Sequence, residues 1–562
     1  MEISPNEKLA GVLAPLFALR TENDLGIGDL EALRQFIEWS RRIGFRLVQL
    51  LPINETGGDN SPYNAISSRA IDPTTLHLAP GSPTQLTAED FEEVTREFDL
   101  AALRSGPVRY EKVKPLKKKL LERAFANFQR DLPNEKFDAF CETEHAWLDD
   151  YSFFRVRMER NGEREIWDEW LSFSLGEEDS PEFEQRRQFF CYVQWIAHEQ
   201  WRAVKNFADD RGVALMGDIP FGVSYYSADV FAQPELFRLE WSGGAPPEPY
   251  FKDDEFTRKW GQNWGIPLYN WPRMRARGFD WWRQRVHGAK EFFHLFRIDH
   301  ILGFYRIYVF PWRPSQNAEF LSLGWEEMLA RTGGHAPHFA PRDDRTLENC
   351  AANWREGEEY LRALLAECGA NSVIGEDLGT VPDYVRPSLS SLGVAGFKIP
   401  QWESFPDGRS IPGSDYERVS VATFATHDHK PLRALWEDAL EKNQDDSEQA
   451  RRDLAKVAEF AGMPSPNEST NYLREFYPAI FEALFRCESW IAIVMITDLL
   501  GRKDRFNVPG VATESNWSRR LHTTVQKLGR GSTLRQRLRL VRELLRKSGR
   551  LSSAASAAKE RA

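Results

Sequence analysis

Residues 294–300 read HLFRIDH, and the fold turns on how that run is placed. A strand period of two puts Leu295, Arg297 and Asp299 on one face and Phe296 and Ile298 on the other. Comparable apolar runs occur at Gly11–Leu16, Arg46–Pro52, Val213–Ile219, Ser372–Asp377, Gly396–Gln401, Val419–Asp428 and Ile491–Asp498. Continuous or near-continuous apolar runs are what a parallel sheet covered by helices on both faces requires. Amphipathic stretches between several of them read as helices: Asp29–Ile43, Phe279–Phe293, Glu356–Cys368 and the segment after His429. About eight strand–helix repeats predict an α/β fold, the (β/α)₈ or TIM barrel. An open doubly wound sheet is the alternative, but no GxGxxG follows a strand, and Gly26–Gly28 is only a two-glycine turn.

One spacing breaks the pattern. Roughly 160 residues separate Pro52 from Val213, where a barrel normally uses a short loop and one helix. Much of that stretch has helical character, at Glu111–Arg130, Glu142–Arg160 and Pro181–Asp209. The expectation is a single catalytic barrel over 1–547, with a mainly helical subdomain inserted at about 75–210 over its C-terminal rim. The low-complexity stretch 548–562, SGRLSSAASAAKERA, is expected to be a disordered tail.

Bulk properties bound the function. Hydrophobic residues make up 41% and charged residues 28% of 562, an ordinary globular balance. A net charge of −11 argues against nucleic acid as a partner. The five scattered cysteines form no CxxC pair, which fits free thiols in a reducing compartment and no structural zinc. No apolar window approaches membrane-spanning length, and MEISPNEKLAGVLAP does not have the pattern of a secretion signal. The chain therefore reads as cytoplasmic, with no membrane partner. The 19 tryptophans are compatible with stacking on sugar faces, although most are expected in the core.

Three acidic residues end three of the expected strands: Asp299 in HLFRIDH, Glu376 in SVIGEDLG and Asp428 in VATFATHDHK. Residues at the C-terminal ends of barrel strands converge on one cleft. Arg297 beside Asp299 favours an ionised carboxylate, which suits a nucleophile. Glu376, on the neighbouring strand, becomes a proton donor if an apolar wall or another carboxylate raises its pKa. A carboxylate nucleophile plus a carboxylic acid is the minimum set for retaining glycoside chemistry. A third carboxylate can hold sugar hydroxyls and strain the ring towards an oxocarbenium-like state. Taken singly, each acid is about as readily a strand-end ion pair or a helix cap.

The runs around the acids, FRIDHILGF, IGEDLG and ATHDH, resemble those of amylomaltases, the 4-α-glucanotransferases of glycoside hydrolase family 77, also called disproportionating enzyme. The similarity runs nearly end to end. It includes GVLAPLFAL with GIGDL, LLPINETGGDNSPYNAISSRAIDP, MGDIPFGVSYYSADVFAQPELF, GAPPEPYF, WGQNWGIPLYNW and RFNVPG…NW. The resemblance implies that Asp299 is the nucleophile, Glu376 the general acid/base and Asp428 the transition-state stabiliser. It implies sugar-binding roles for Tyr63, Asp218, Trp264, Arg297, His300, His427 and Asn507. It also implies maltooligosaccharides and other α-1,4-glucans as donors, glucose as an acceptor, and no metal or cofactor. Trp264, with Tyr250 and Phe251, is expected in a loop over the acceptor side.

Departures from the family pattern are few. His429-Lys430 replaces the Asn-Asp that follows Asp428 in the best-known members, so a basic shell is expected there. Asn60 stands where Asp-Ser-Pro-Tyr begins. Two other enzymes fit the same residues. An α-glucan hydrolase would use the same three acids, and a metal-dependent barrel hydrolase would use His427-Asp428-His429 as ligands.

Overall fold

The computed structural model describes residues 1, 3–131, 133–171, 178–247, 254–441, 446–467, 469–509 and 515–551. Among these described residues, twelve strands form two sheets: β1 (Leu9–Leu13), β2 (Leu47–Gln49), β3 (Ala214–Ile219), β4 (Phe237–Ala245), β5 (Gln262–Tyr269), β6 (Leu295–Ile298), β7 (Ile307–Phe310), β8 (His338–Ala340), β9 (Val373–Gly375), β10 (Gly396–Lys398), β11 (Ser420–Ala422) and β12 (Ile491–Met495).

Eight of them pair in parallel in the order β10-β11-β12-β1-β2-β3-β6-β9. A parallel bridge between Ile374 and Ala395, with Gly375 N–H donating to Ala395 O at 2.8 Å, joins β9 to β10 and closes the ring. The result is the expected (β/α)₈ barrel. The alternation read from HLFRIDH holds: Leu295 packs into the main core, whereas Phe296 and Ile298 belong to a separate cluster with Trp282, Leu361 and Leu364 of the outer helices.

Every expected barrel strand overlaps an observed one, but the strands are shorter than the apolar runs. The largest difference is at Val419–Asp428, where β11 stops at Ala422 and Asp428 lies in the loop beyond it. Pairing sets the limit, because the β10–β11 ladder runs only from Gly396–Ser420 to Lys398–Ala422.

Helix Leu30–Ile43 starts where its sequence dictates, with the Asp29 side chain accepting from Ala32 N–H at 3.0 Å. Between β2 and β3 lie helices Ala88–Thr95, Leu100–Arg104, Tyr110–Phe128, Glu135–Arg160 and Pro181–Asp209. The last packs on Leu30–Ile43 and β3, so it doubles as a barrel crossover helix. Lys117 anchors the insertion from within, its buried ammonium donating to Thr74 O at 2.5 Å and Leu76 O at 2.7 Å.

A second sheet, antiparallel in the order β5-β4-β7-β8, was not legible as strands. Register shifts interrupt β4 between Arg238 and Ser242 and between Gly243 and Gly244, which erases the two-residue alternation. At Gly244 an added Cβ would sit 1.8 Å from Gln262 O, so the two chains approach as closely as they do only because no side chain is there.

Of the stretch 548–562, residues 552–562 lie outside the described residues. Arg550 is 1% exposed, and its guanidinium donates to the carbonyls of Leu9, Phe485, Cys487, Ser489 and Trp490. The packed chain thus reaches beyond the boundary expected at 547. Among the described residues, no helix is long and apolar enough to cross a membrane.

Candidate active site

All eight barrel strands point their C-terminal ends to one mouth, and the site assembles there. Asp218 near the end of β3 and Arg297 in β6 are partners across the β3–β6 ladder. Arg297 Nη1 donates to both carboxylate oxygens of Asp218, at 2.9 and 2.8 Å, and Nη2 reaches Asp299 Oδ1 at 2.6 Å. One buried cation therefore bridges two carboxylates. Tyr63 donates its hydroxyl to Asp218 Oδ2 at 2.7 Å. Burial raises the Asp218 carboxyl to about 6, against the pull of Arg297. The Asp218 side chain is fully buried, whereas that of Asp299 is 29% exposed at the mouth. The Asp218 carboxylate thus faces Arg297 and Tyr63.

Glu376 follows β9, the strand that pairs with β6. Its backbone N–H donates to Ile298 O at 2.9 Å, and its Oε2 accepts from His300 N–H at 2.9 Å. Burial pushes its carboxyl up to about 8; Arg297 opposes the rise and the charge of Asp299 adds to it. At neutral pH Glu376 therefore carries its proton. His300 makes the second contact possible by adopting a left-handed backbone, φ 46° and ψ 53°, directly after Asp299. Its ring lies 4.8 Å edge-on to Trp264, and burial lowers it to about 4, leaving a neutral imidazole.

Asp428 is on neither of these strands nor on their neighbour, since β10 separates β9 from β11. Its loop is held by long-range contacts. Asn507 Nδ2 donates to Asp428 Oδ1 at 2.6 Å, His427 Nε2 lies 3.2 Å from Oδ2, and Arg505 Nη2 donates to the Asp428 carbonyl at 2.6 Å. Burial disfavours the charge, but the adjoining His427 ring and the hydrogen bonds from His427 and Asn507 outweigh it, holding Asp428 below the usual carboxylate range. The His427 ring stacks on Tyr63 at 4.9 Å and 9°, and Trp517 leans on both at 5.8 Å.

The expected basic shell after Asp428 is not formed. Burial lowers His429 to about 4, and its Nδ1 accepts from Thr426 N–H at 3.1 Å, so the ring is neutral. Lys430 Nζ is turned to Asp438 at 2.8 Å. Trp264 is 38% exposed, but it stands on strand β5 rather than in a loop. Tyr250 and Phe251 lie outside the described residues. Asn507 orients Asp428, while Arg505 and Trp517 were missed as individual residues. Their signal was the RFNVPG…NW run, which contains both.

Comparison with known proteins identifies the family. The family model described as 4-alpha-glucanotransferase matches residues 14–526. A 4-alpha-glucanotransferase of Chlamydia caviae is 32% identical over 537 residues, 92% of this chain and 91% of the relative; one of Aquifex aeolicus is 29% identical over 532 residues, covering 92% and 95%. In fold, the chain is similar to amylomaltase from Streptococcus agalactiae in complex with acarbose (TM-score 0.73, 21% identity, 97% and 100% covered). It is also similar to amylomaltase from Corynebacterium glutamicum (TM-score 0.76, 20% identity, 96% and 75% covered). With a family match across most of its length around three carboxylates at one barrel mouth, this chain belongs to the 4-alpha-glucanotransferases, enzymes that transfer segments of α-1,4-glucans.

Proposed function

We propose that the transfer is a retaining double displacement carried by Asp299, Glu376 and Asp428. The observation that carries this reading is the division of labour at Arg297: it ion-pairs with Asp299, while Glu376 beside it is buried and protonated. Asp299 attacks the anomeric carbon as Glu376 protonates the leaving glycosidic oxygen, giving a covalent glycosyl-enzyme and a shortened glucan. Glu376, now a carboxylate, takes the proton from an acceptor hydroxyl that displaces Asp299, restoring the configuration of the sugar. Asp428, ionised and fixed by Asn507 and His427, holds sugar hydroxyls and stabilises the developing positive charge.

Tyr63, His427 and Trp517 form an aromatic wall beside this centre, and Trp264 with His300 forms a second one. These surfaces suit the apolar faces of glucose rings, which favours maltooligosaccharides as donors and glucose or shorter maltooligosaccharides as acceptors. Water is present at ~55 M, so transfer requires an acceptor that the site orients, an advantage worth ~7–11 kcal/mol in effective concentration.

The test is incubation of the protein with maltotriose after exhaustive EDTA dialysis. Glucose and a ladder of longer maltooligosaccharides should form while total reducing ends stay nearly constant. A steady rise in reducing ends without longer products would assign hydrolysis to this site. Activity lost to EDTA and restored by zinc would reassign His427 and His429 as metal ligands.

A further inference from the structure

In the outer helical layer, the C-terminal turn of helix Leu30–Ile43 meets the loop Leu528–Gly529 and helix Ser532–Lys547. They enclose an open cavity of about 230 Å³ lined by Trp39, Ile43, Leu528 and Leu538 on its apolar side, and by Arg42, Arg535, Arg539 and Arg542. Arg535, Arg539 and Arg542 are spaced four and three residues apart, so one helix face presents all three. Arg542 donates to the Arg42 carbonyl, tying the two walls together, and Arg535 donates to Arg530 O at 2.9 Å.

No carboxylate lines this cavity, and none of the four guanidiniums has an acidic partner within ion-pair distance among the described residues. The arrangement is unusual for a chain with a net charge of −11, in which most arginines elsewhere are paired with acids. Four like charges around one hollow repel one another until an anion enters. A second observation comes from the apolar side: Trp39 is 3% exposed and its indole Nε1 is a buried donor without a partner among the described residues.

We propose that this cavity is a binding site for a small sugar phosphate, distinct from the glucan site. Guanidinium forks match phosphate oxygens in geometry and charge. The volume falls below the ~300–1,000 Å³ of drug-sized pockets, which leaves room for about one ring and one phosphate. The one aromatic in the lining, Trp39, is buried, so no free ring face is available to stack a nucleobase. The phosphate of such a ligand would sit among Arg42, Arg539 and Arg542, at the mouth of the hollow.

The experiment is isothermal titration of the full chain with glucose 6-phosphate, inorganic phosphate and glucose, repeated with Arg42→Gln and Arg539→Gln. Both side chains are exposed and lie away from the catalytic carboxylates, so transfer from maltotriose should continue in both variants and serve as the folding control. The expected result is saturable binding of glucose 6-phosphate, at least ten-fold tighter than inorganic phosphate or glucose, and weakened at least ten-fold in each variant. Binding of glucose 6-phosphate no tighter than inorganic phosphate, no binding at all, or affinity unchanged within two-fold in the variants would overturn the proposal. Sedimentation with phosphatidylglycerol vesicles that excess glucose 6-phosphate does not prevent would assign the arginines to a lipid surface, and would overturn it as well.

Discussion

At the scale of single residues, the proposed chemistry rests on how one guanidinium is shared. Arg297 spends Nη1 on Asp218 and Nη2 on Asp299, leaving burial and the charge of Asp299 to raise Glu376. Asp299→Asn and Glu376→Gln should each reduce turnover of natural glucans to below a few per cent of wild type, with the fold intact by circular dichroism. Each removes several kcal/mol of transition-state stabilisation with little change in volume. The proton on Glu376 also sets a pH dependence. Because the acid works only when protonated and its pKa is about 8, kcat/KM should fall tenfold per unit above that pH. A profile of kcat/KM from pH 6 to 10 that stayed flat through pH 9 would remove Glu376 from the acid's role.

At the scale of elements, each strand end delivers a side chain that its own sequence could not aim. Asp299 and Glu376 follow their strands directly, so the apolar runs pointed to them. Asp428 sits six residues past Ala422, and its orientation comes from Arg505 and Asn507, nearly eighty residues further on. The β4–β5 hairpin has a comparable role, because it carries Trp264 to His300 of another element. If Trp264 orients the acceptor, Trp264→Ala should shift the partition from transfer towards hydrolysis. A loss of about 1.4 kcal/mol in acceptor orientation changes that partition roughly tenfold. Counting reducing ends against glucose released from maltotriose measures it; an unchanged ratio would restrict Trp264 to packing on His300.

At the scale of the whole molecule, the helical insertion braces the rim segment that carries Tyr63. Lys114 donates to Thr56 O and Gly57 O at 3.2 and 2.8 Å, and Gly58 N–H donates to Glu165 at 3.1 Å. Tyr151 hydrogen-bonds Glu55, and Arg155 lies 3.2 Å from Glu55 and 3.1 Å from Glu163. Arg155→Met leaves Glu55 buried without its cation. Loss of one partner of a buried ion pair costs ~3–5 kcal/mol, which should lower the urea midpoint and raise KM for maltotriose through the loosened Tyr63 segment. A variant with an unchanged urea midpoint would show that the brace contributes nothing to stability.

The sequence by itself determined the barrel, the positions of the three acids and the existence of a large helical insertion. Each is local information: apolar runs of strand length, acids at their ends, and amphipathic stretches between them. It also carried family motifs dense enough to point to glucan transfer. Only the tertiary structure decided what each side chain touches at the mouth. Asp218 proves to be buried against Arg297 and Tyr63, His429 is neutral rather than part of a basic shell, and β11 ends before Asp428. The second sheet also emerged only there, because bulges and close glycines hide its alternation. The physical reason is common to all of these. Ionisation, burial and pairing depend on groups brought together from distant parts of the chain, and no local window of sequence contains both partners.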